Sequence, residues 1–222
     1  MTNIIEFNEF TSTCSGAAGE LYCWLCQKGV SYRALFCHDC GTIQPVRELD
    51  HFARLGLERR IDIDIELLER QYEAFQRTLD PSRFAIRGIG ERGHAAKQME
   101  SVAEAYDTLR DPLRRGRYWL TLNQKEFEEL KTATPLVIEL HDLLENAADP
   151  MQCDRVAQKA GQAMEDGILG LMQALRGQDW QQANAALVEL AGLEAILTQV
   201  RERRAQLAPD TVKTGETLAS VK

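Results

Sequence analysis

The sequence has 222 residues, 44% of them hydrophobic, which is enough for one good apolar core and for one or two domains. Its formal net charge is −8, which argues against attraction of the chain as a whole to nucleic-acid phosphates or anionic lipid. No apolar run approaches the roughly 20 residues that cross a bilayer, and the first ten residues lack the basic composition of a targeting segment. We therefore predict a cytoplasmic protein with protein partners, no nucleic acid and no membrane.

The first feature along the chain is a pair of CxxC motifs. Residues 1–20 lack periodicity and predict a flexible lead-in, and ten residues separate the two motifs that follow. This spacing lets each turn present two thiolates that together close a tetrahedral site, and four thiolates suit zinc or a rubredoxin-like iron. We predict a structural metal module at 21–46, with zinc favoured over iron and over a reactive dithiol pair. The predicted metal ligands are Cys23, Cys26, Cys37 and Cys40.

Other polar and sulfur groups around this module receive simpler interpretations. Cys14 lies outside the spacing and Cys153 lies in a predicted helix, so both are expected to be small apolar residues. His38 is not needed as a ligand beside four cysteines. A zinc ribbon can also bind nucleic acid, but Lys28 and Arg33 are too few basic residues for a phosphate footprint. Nucleic-acid binding is therefore only the third of the functional hypotheses for this chain.

Helical periodicity dominates the rest of the chain to about Leu207 and predicts an all-α remainder. Asp50 is expected to cap a short helix that Gly56 ends, and a long amphipathic helix is expected to begin near Asp64. The stretch from 81 to 93 has three glycines and no clear period, which predicts a loop. The apolar face of the next helix is predicted at Ala95, Met99, Val102, Tyr106 and Leu109.

Later helices begin at a capping residue followed by proline, a preferred start signal. The three pairs are Asp111-Pro112, Thr134-Pro135 and Asp149-Pro150. Gly177 is expected to end the third of these helices, and Asp179 to cap a final one. Single apolar stripes and short connections predict a three-helix bundle at 134–208, followed by a flexible tail at 209–222. The stripe of the final helix is predicted at Leu187, Leu190, Leu193, Leu197 and Val200.

Two segments of the sequence resemble the HscB family. The order of a short helix, a long helix, a turn at Asp80-Pro81 and another long helix is that of a J domain. The segments LDHFARLGL at 49–57 and AYDTLRDPLRRGRY at 105–118 resemble the beginning and a helix end of HscB. The resemblance runs from about Asp50 to Leu207, and the CxxC pairs are similar to the metal module of some HscB relatives. It implies a mainly α chain with a zinc-ribbon-like module, a J-domain-like helical hairpin at 47–123 and the C-terminal bundle.

The resemblance implies a co-chaperone of iron-sulfur cluster assembly. HscB-like proteins present an iron-sulfur scaffold protein to a DnaK- or HscA-type chaperone ATPase, the J domain meeting the ATPase and the bundle meeting the scaffold. Three consecutive apolar residues cannot all face one core, so we expect at least one of residues 136–138 to be exposed, the alternative being that all three pack inward. The scaffold-binding residues that the resemblance implies are Leu136, Val137, Ile138, Asp142 and Glu145.

The turn after the long second helix departs from the His-Pro-Asp signature of J domains. The sequence has Asp80, Pro81 and Ser82 there, so only the proline is kept. Losing one partner of a desolvated charged pair costs about 2 to 5 kcal/mol, or about thirtyfold to several-thousandfold in affinity. We therefore predict weakened or lost ATPase stimulation, the alternative reading being that Asp80-Pro81 simply caps a turn.

The remaining chaperone contact that the resemblance implies lies on the second helix, at Arg70 and Arg77. These arginines are seven residues apart on one face, but glutamates surround them and favour a mixed, solvated surface. We expect no enzyme, because the four histidines are dispersed and no nucleophile-base set or phosphate loop is visible. The alternative function is a non-catalytic J-like scaffold that binds another protein through its bundle.

Overall fold

The computed structural model describes residues 21–125 and 133–207. The predicted lead-in at 1–20, Cys14 and the predicted tail at 209–222 lie outside the described residues. Within those two ranges the chain is mainly helical, and its only β pairing consists of two isolated bridges in the cysteine module. The helices are α1 (His51–Arg54), α2 (Ile65–Thr78), α3 (Pro81–Phe84), α4 (Ile89–Arg110), α5 (Pro112–Leu122), α6 (Pro135–Glu145), α7 (Pro150–Arg176) and α8 (Trp180–Leu207).

The chain divides into two compact units, Met1–Tyr118 and Trp119–Lys222. The first unit contains the cysteine module and α1 to α4, and the second contains α6 to α8. The division falls within α5, four residues before the end of that helix. The finer domain limits derived from the sequence stay predictions.

The first unit is built on the predicted caps. The Asp50 carboxylate accepts a hydrogen bond from the Ala53 N–H at 2.8 Å, and Gly56 ends the turn with a φ of +68°. At the start of α2 the Asp64 carboxylate accepts from the Leu67 N–H at 3.1 Å. The apolar face of α2 packs against α4, with Leu68, Phe75 and Leu79 buried. These caps and this face confirm the sequence prediction.

The prediction of a loop from 81 to 93 is wrong. Asp80 caps the short helix α3, and α4 already begins at Ile89, so only about four residues connect the two helices. Of the three glycines, Gly88 is the N-cap of α4 and the other two lie in its first turns. A Cβ atom added to Gly90 would lie 3.2 Å from the Trp24 indole, so this glycine permits close packing of the cysteine module. The glycines here mark a helix start and a tight contact.

The two segments that carry the family resemblance contact each other. The His51 backbone N–H, in the first segment, donates to the hydroxyl of Tyr118, in the second, at 2.9 Å, and the two rings lie 4.2 Å apart between centroids. In the second segment, Arg115 is buried and donates to the Leu109 carbonyl oxygen at 2.6 Å. The hydrogen bond between His51 and Tyr118 joins the start of α1 to α5 across 67 residues of sequence.

The second unit is a bundle of α6, α7 and α8, and its helix starts confirm the predicted caps. Thr134, Asp149 and Asp179 each accept a hydrogen bond from a backbone N–H of the following turn. Cys153 is buried in α7 as a small apolar residue. Within the described residues, α8 is the one helix apolar enough to cross a membrane by length and composition, a test that core helices of bundles also pass. Its stripe is buried here.

Two details of the bundle differ from the prediction. Ile196, with 2% exposure, joins the buried stripe of α8, whereas Leu197 is half-buried. Both residues follow Leu193 at helical spacing, so periodicity alone could not separate them. After α7, Gly177 keeps a helical φ of −75° and Gln178 adopts the positive φ of +56°. The left-handed residue that ends α7 is therefore one position later than glycine predicts.

Candidate functional site

The cysteine module consists of two knuckles with the same backbone hydrogen-bond pattern, offset by 14 residues. In the first knuckle the Cys23 N–H donates to the Lys28 carbonyl, and in the second the Cys37 N–H donates to the Thr42 carbonyl, both at 2.8 Å. The residue after each CxxC motif has a left-handed φ, +60° at Gln27 and +69° at Gly41. At each knuckle this conformation folds the chain back on itself, so that both thiols face the other knuckle.

The four sulfur atoms of the predicted metal site lie together. The Sγ atoms of Cys23 and Cys40 are 3.6 Å apart, as are those of Cys26 and Cys37, and all four lie within 4.8 Å of one another. A disulfide needs about 2.05 Å between sulfurs, whereas a tetrahedral site with metal-sulfur bonds of about 2.3 Å has edges of about 3.8 Å. The arrangement therefore fits one metal ion and contains no disulfide, and all four cysteines are free thiols.

The surroundings of the thiols favour unequal proton affinities. Burial raises the pKa of Cys23, but hydrogen bonds from the Cys26 and Leu25 backbone and the Gln44 side chain outweigh it and lower the pKa to about 6. Hydrogen bonds to Thr42 lower the pKa of Cys40. For Cys26, the Lys28 backbone hydrogen bond lowers the pKa, but burial and the neighbouring thiols raise it to about 12. Metal ligation requires thiolates, so the lowered pKa values of Cys23 and Cys40 favour binding of a cation.

The cysteine module is anchored on α4. The Trp24 indole lies against Gly90 and meets the His94 ring edge-on at 5.2 Å between centroids. Deeper in the contact, the Gln98 side chain donates to the Gln44 carbonyl oxygen at 3.0 Å, while the Gln44 amide donates to the Cys23 sulfur at 3.4 Å. Both glutamines are buried. One chain of hydrogen bonds thus links a thiol of the cluster to the helix beneath the module.

The turn between α2 and α3 is solvent-exposed and holds Asp80, Pro81 and Ser82, which the family resemblance places at the His-Pro-Asp signature. The Asp80 carboxylate accepts a hydrogen bond from the Ser82 N–H at 2.7 Å, and hydrogen bonding to Ser82 lowers the pKa of Asp80. Pro81 occupies the first position of α3. The carboxylate is therefore used in capping its own helix, as the alternative interpretation of Asp80-Pro81 expects.

The two arginines predicted to contact the chaperone are exposed on α2. Arg70 pairs with Glu66 at 3.8 Å and Arg77 pairs with Glu73 at 3.5 Å, each one helical turn apart. Such exposed pairs contribute less than about 1 kcal/mol each to stability. The surface is mixed in charge, as the surrounding glutamates indicated. Whether it contacts a chaperone stays a prediction.

The predicted scaffold-binding residues lie along α6. Ile138 is 49% exposed, whereas Leu136 and Val137 are half-buried, so the expectation that at least one of the three is exposed holds. Val137 packs against α8 at Gly192, where an added Cβ would lie 2.7 Å from a Val137 methyl carbon. Asp142 and Glu145 are exposed at four and seven residues after Ile138, on the same helix face. This face therefore combines one apolar side chain with two carboxylates.

Sequence reasoning missed two features near the cysteine module. Gln98 was not assigned to the buried face of α4, because a glutamine carries no apolar signal and its partner lies 54 residues away. Ile86 and Ile89 are the two most exposed large apolar side chains among the described residues, at 96% and 81%. Their place within the supposed loop hid them, although two isoleucines between arginines and glycines were a visible signal.

The sequence and the fold are both similar to known HscB proteins. No family model matches the sequence. The iron-sulfur cluster co-chaperone protein HscB homolog of Arabidopsis thaliana is 27% identical over 187 residues, covering 82% of this chain and 73% of the relative. The solved structure of chaperone HscB from Vibrio cholerae matches with a TM-score of 0.63 and 27% identity, over 72% of this chain and 100% of that chain. The human co-chaperone HscB has the same fold, with a TM-score of 0.77, 22% identity and coverage of 84% and 100%.

Proposed function

We propose that this chain belongs to the HscB family and is a co-chaperone of iron-sulfur cluster assembly that binds a scaffold protein and presents it to a DnaK- or HscA-type chaperone ATPase. The observation that carries this proposal is the match to the complete HscB chain of Vibrio cholerae, which extends over more of this chain than either compact unit contains. The similarity therefore includes residues of both units. In this proposal, each unit carries one binding surface.

The first surface is the turn at Asp80, Pro81 and Ser82 together with Arg70 and Arg77, which would meet the ATPase. Asp80 puts a negative charge where the family has an imidazole, and Ser82 lacks the carboxylate of the signature. We expect weak or absent stimulation of the ATPase, because a lost charged contact costs about 2 to 5 kcal/mol at an interface. The proline and the α3 cap support an intact turn.

Single-turnover ATP hydrolysis by a DnaK- or HscA-type chaperone tests this weakening. The unmodified chain should stimulate hydrolysis weakly, and the double change Asp80→His with Ser82→Asp should restore part of the stimulation. Exchange of Arg70 and Arg77 for alanine in that double variant should remove the gain again. Strong stimulation by the unmodified chain would contradict the proposed defect.

The second surface is the α6 face of Ile138, Asp142 and Glu145, with Leu136 and Val137 beside it, and we assign it to the scaffold protein. Its apolar side chain is exposed beside carboxylates, a composition suited to protein docking. The change Ile138→Asp should weaken binding of an iron-sulfur scaffold protein without unfolding the bundle. Leu143 is a matched control, because it is 47% exposed on the same helix but lies five residues away, on another face. Equal effects of Ile138→Asp and Leu143→Asp on binding would contradict the assignment.

The four cysteines of the module are assigned to structural zinc, with iron as the alternative. Zinc, when bound, supplies a tetrahedral cross-link with no open position for catalysis. The residues that would hold it are Cys23, Cys26, Cys37 and Cys40, whose sulfur spacing suits such a site. Elemental analysis of the purified chain should give about one metal ion per chain. A metal-free protein with disulfides among these cysteines would contradict the assignment.

A second candidate function is a non-catalytic J-like adaptor that binds another protein through its bundle. The observation that favours it is the Asp80 carboxylate, which caps α3 and so serves the local fold. Recovery of an iron-sulfur scaffold protein from cell extract supports the co-chaperone, whereas recovery of unrelated partners supports the adaptor. The absence of any gain in the Asp80→His, Ser82→Asp variant would also favour the adaptor.

A further inference from the structure

Two isoleucines stand almost fully in solvent at the start of α4. Ile86 is 96% exposed in the connection after α3, and Ile89 is 81% exposed as the first residue of α4. Aliphatic side chains of this size are usually removed from water, so a pair of them within four residues is an unusual surface. We call these two residues the isoleucine pair.

The isoleucine pair is held in place by its neighbours. Phe84 is buried just before it, and the Arg87 N–H donates to the Phe84 carbonyl oxygen at 2.9 Å. Gly90, just after it, lies against the Trp24 indole of the cysteine module. Buried contacts therefore fix the backbone on both sides of the two exposed side chains. Such a preorganised surface loses little conformational entropy when a partner covers it.

The charge around the isoleucine pair is basic on an otherwise acidic chain. Arg83, Arg87 and Arg92 are exposed within ten residues, and the Glu91 carboxylate between them pairs with Arg87 at 3.5 Å. The side chain of Glu91 is only 13% exposed, so the arginines dominate the solvent-facing charge. The complementary ligand is a protein segment that carries apolar side chains beside carboxylates. The net charge of −8 disfavours attraction of the chain as a whole to anionic membranes and nucleic acid.

We propose that the isoleucine pair, with Arg87 and Arg92, is a docking surface for an apolar, carboxylate-flanked segment of the chaperone ATPase. This inference rests on the proposed function and names the contact that replaces the altered turn. The surface begins four residues after Ser82, and Arg83 between them donates to the Arg77 carbonyl oxygen at 3.3 Å. It is therefore continuous with the residues assigned to the ATPase. Apolar contact here would retain the chaperone where the charged contact is lost.

The test measures binding of the full-length chain to a purified DnaK- or HscA-type chaperone by biolayer interferometry. The change Ile86→Ser with Ile89→Ser should weaken binding at least about tenfold, because two apolar side chains leave the interface. A second variant, Arg92→Glu, should also weaken binding, more so at low salt because the contact is electrostatic. The matched control is Met151→Ser with Leu169→Ser, two α7 side chains that are 65% and 70% exposed, and it should bind like the unmodified chain.

The possible results separate this inference from the proposed function. If the unmodified chain binds the chaperone and both the serine double variant and Arg92→Glu bind within about twofold of it, the inference alone is overturned. If the unmodified chain does not bind the chaperone at all, the ATPase part of the proposed function fails together with the inference. Binding to phosphatidylglycerol vesicles that requires both isoleucines, with chaperone binding unchanged, would assign the surface to a membrane and overturn the inference.

Discussion

The cysteine module and the C-terminal bundle hold their folds together by different means. The buried hydrophobic cluster around the thiols of the module consists of Cys23, Val30 and Cys37, so two of its three members are ligands of the candidate metal site. The buried stripe of α8 in the bundle consists of apolar side chains: Ala183, Leu187, Leu190, Leu193, Ile196 and Val200. The bundle can therefore fold by apolar burial, whereas the module depends on its sulfur cluster.

The difference follows from size. A segment of about 25 residues cannot remove enough apolar surface from water to offset its conformational entropy, and domains below about 40 residues need a metal or disulfides. The paired α7 and α8 helices are 27 and 28 residues long and offer each other a long apolar face. Changes to the sulfur cluster and to the apolar stripe should thus have separate effects, and the following predictions exploit this separation.

The largest effect is expected from Cys37→Ser. A structural zinc site contributes about 10 to 16 kcal/mol of binding free energy, most of which is folding energy of the module, so loss of one ligand should unfold it. Metal content should fall sharply and amides of 21–46 should lose protection in hydrogen exchange, while the bundle keeps its protection. Cys153→Ser is the matched control, because Cys153 is a buried thiol of the bundle, and it should leave metal content unchanged. Full metal retention by Cys37→Ser would refute the dependence of the module on the cluster.

The converse change is Leu187→Ala in the core of the bundle. Removal of a fully buried leucine side chain should lower the free energy of unfolding of the bundle by about 2 to 5 kcal/mol. Leu169→Ala is its control, since Leu169 is 70% exposed and the same truncation there should change stability by less than about 0.5 kcal/mol. Denaturant unfolding followed by circular dichroism measures both. Metal content should stay the same in both variants, and a loss of metal in Leu187→Ala would contradict the separation of the two regions.

A smaller effect is expected from Gln44→Leu, which sharpens the comparison within the module. This change removes the hydrogen bond to the Cys23 sulfur, and loss of such an outer contact typically costs tenfold to about a hundredfold in metal affinity, or about 1.4 to 2.8 kcal/mol. Competition with a chromophoric chelator measures the affinity. Gln98→Leu removes only the link to the Gln44 carbonyl, so it should weaken packing on α4 and change metal affinity less. The reverse order of the two affinities would mean that the link to α4 matters more than the contact with the sulfur.

The smallest effect is expected at the Asp80 cap, as pH is lowered. Hydrogen bonding to Ser82 lowers the pKa of Asp80, so its contribution is fully present above the pKa of the unfolded chain and is lost as pH falls through the folded value. NMR titration should show Asp80 titrating below ordinary aspartates and the Ser82 amide shifting with it. Metal release by protonation of thiolates should occur at higher pH than this titration. An Asp80 that titrates at the ordinary value would contradict the cap.

Much of the fold and of the candidate site followed from local sequence patterns. The CxxC spacing identified the four cysteines whose sulfurs lie together, and the capping residues Asp50, Asp64, Thr134, Asp149 and Asp179 identified helix starts. These signals are local, because each capping side chain accepts from a backbone N–H three residues later and each CxxC motif holds two thiols in one turn. Glycine was the misleading signal, since Gly90 lies in a helix against an indole.

The sequence by itself determined the composition of the two regions, namely a sulfur cluster in the module and apolar stripes in the bundle. Only the tertiary structure decided which long-range partners complete them, such as Gln98 beneath Gln44 and Gly192 beneath Val137. It also decided that Ile86 and Ile89 face solvent. A periodic pattern records the faces of one helix, whereas burial depends on what a distant segment covers. The two glutamines are 54 positions apart in sequence, so no local pattern indicates their contact.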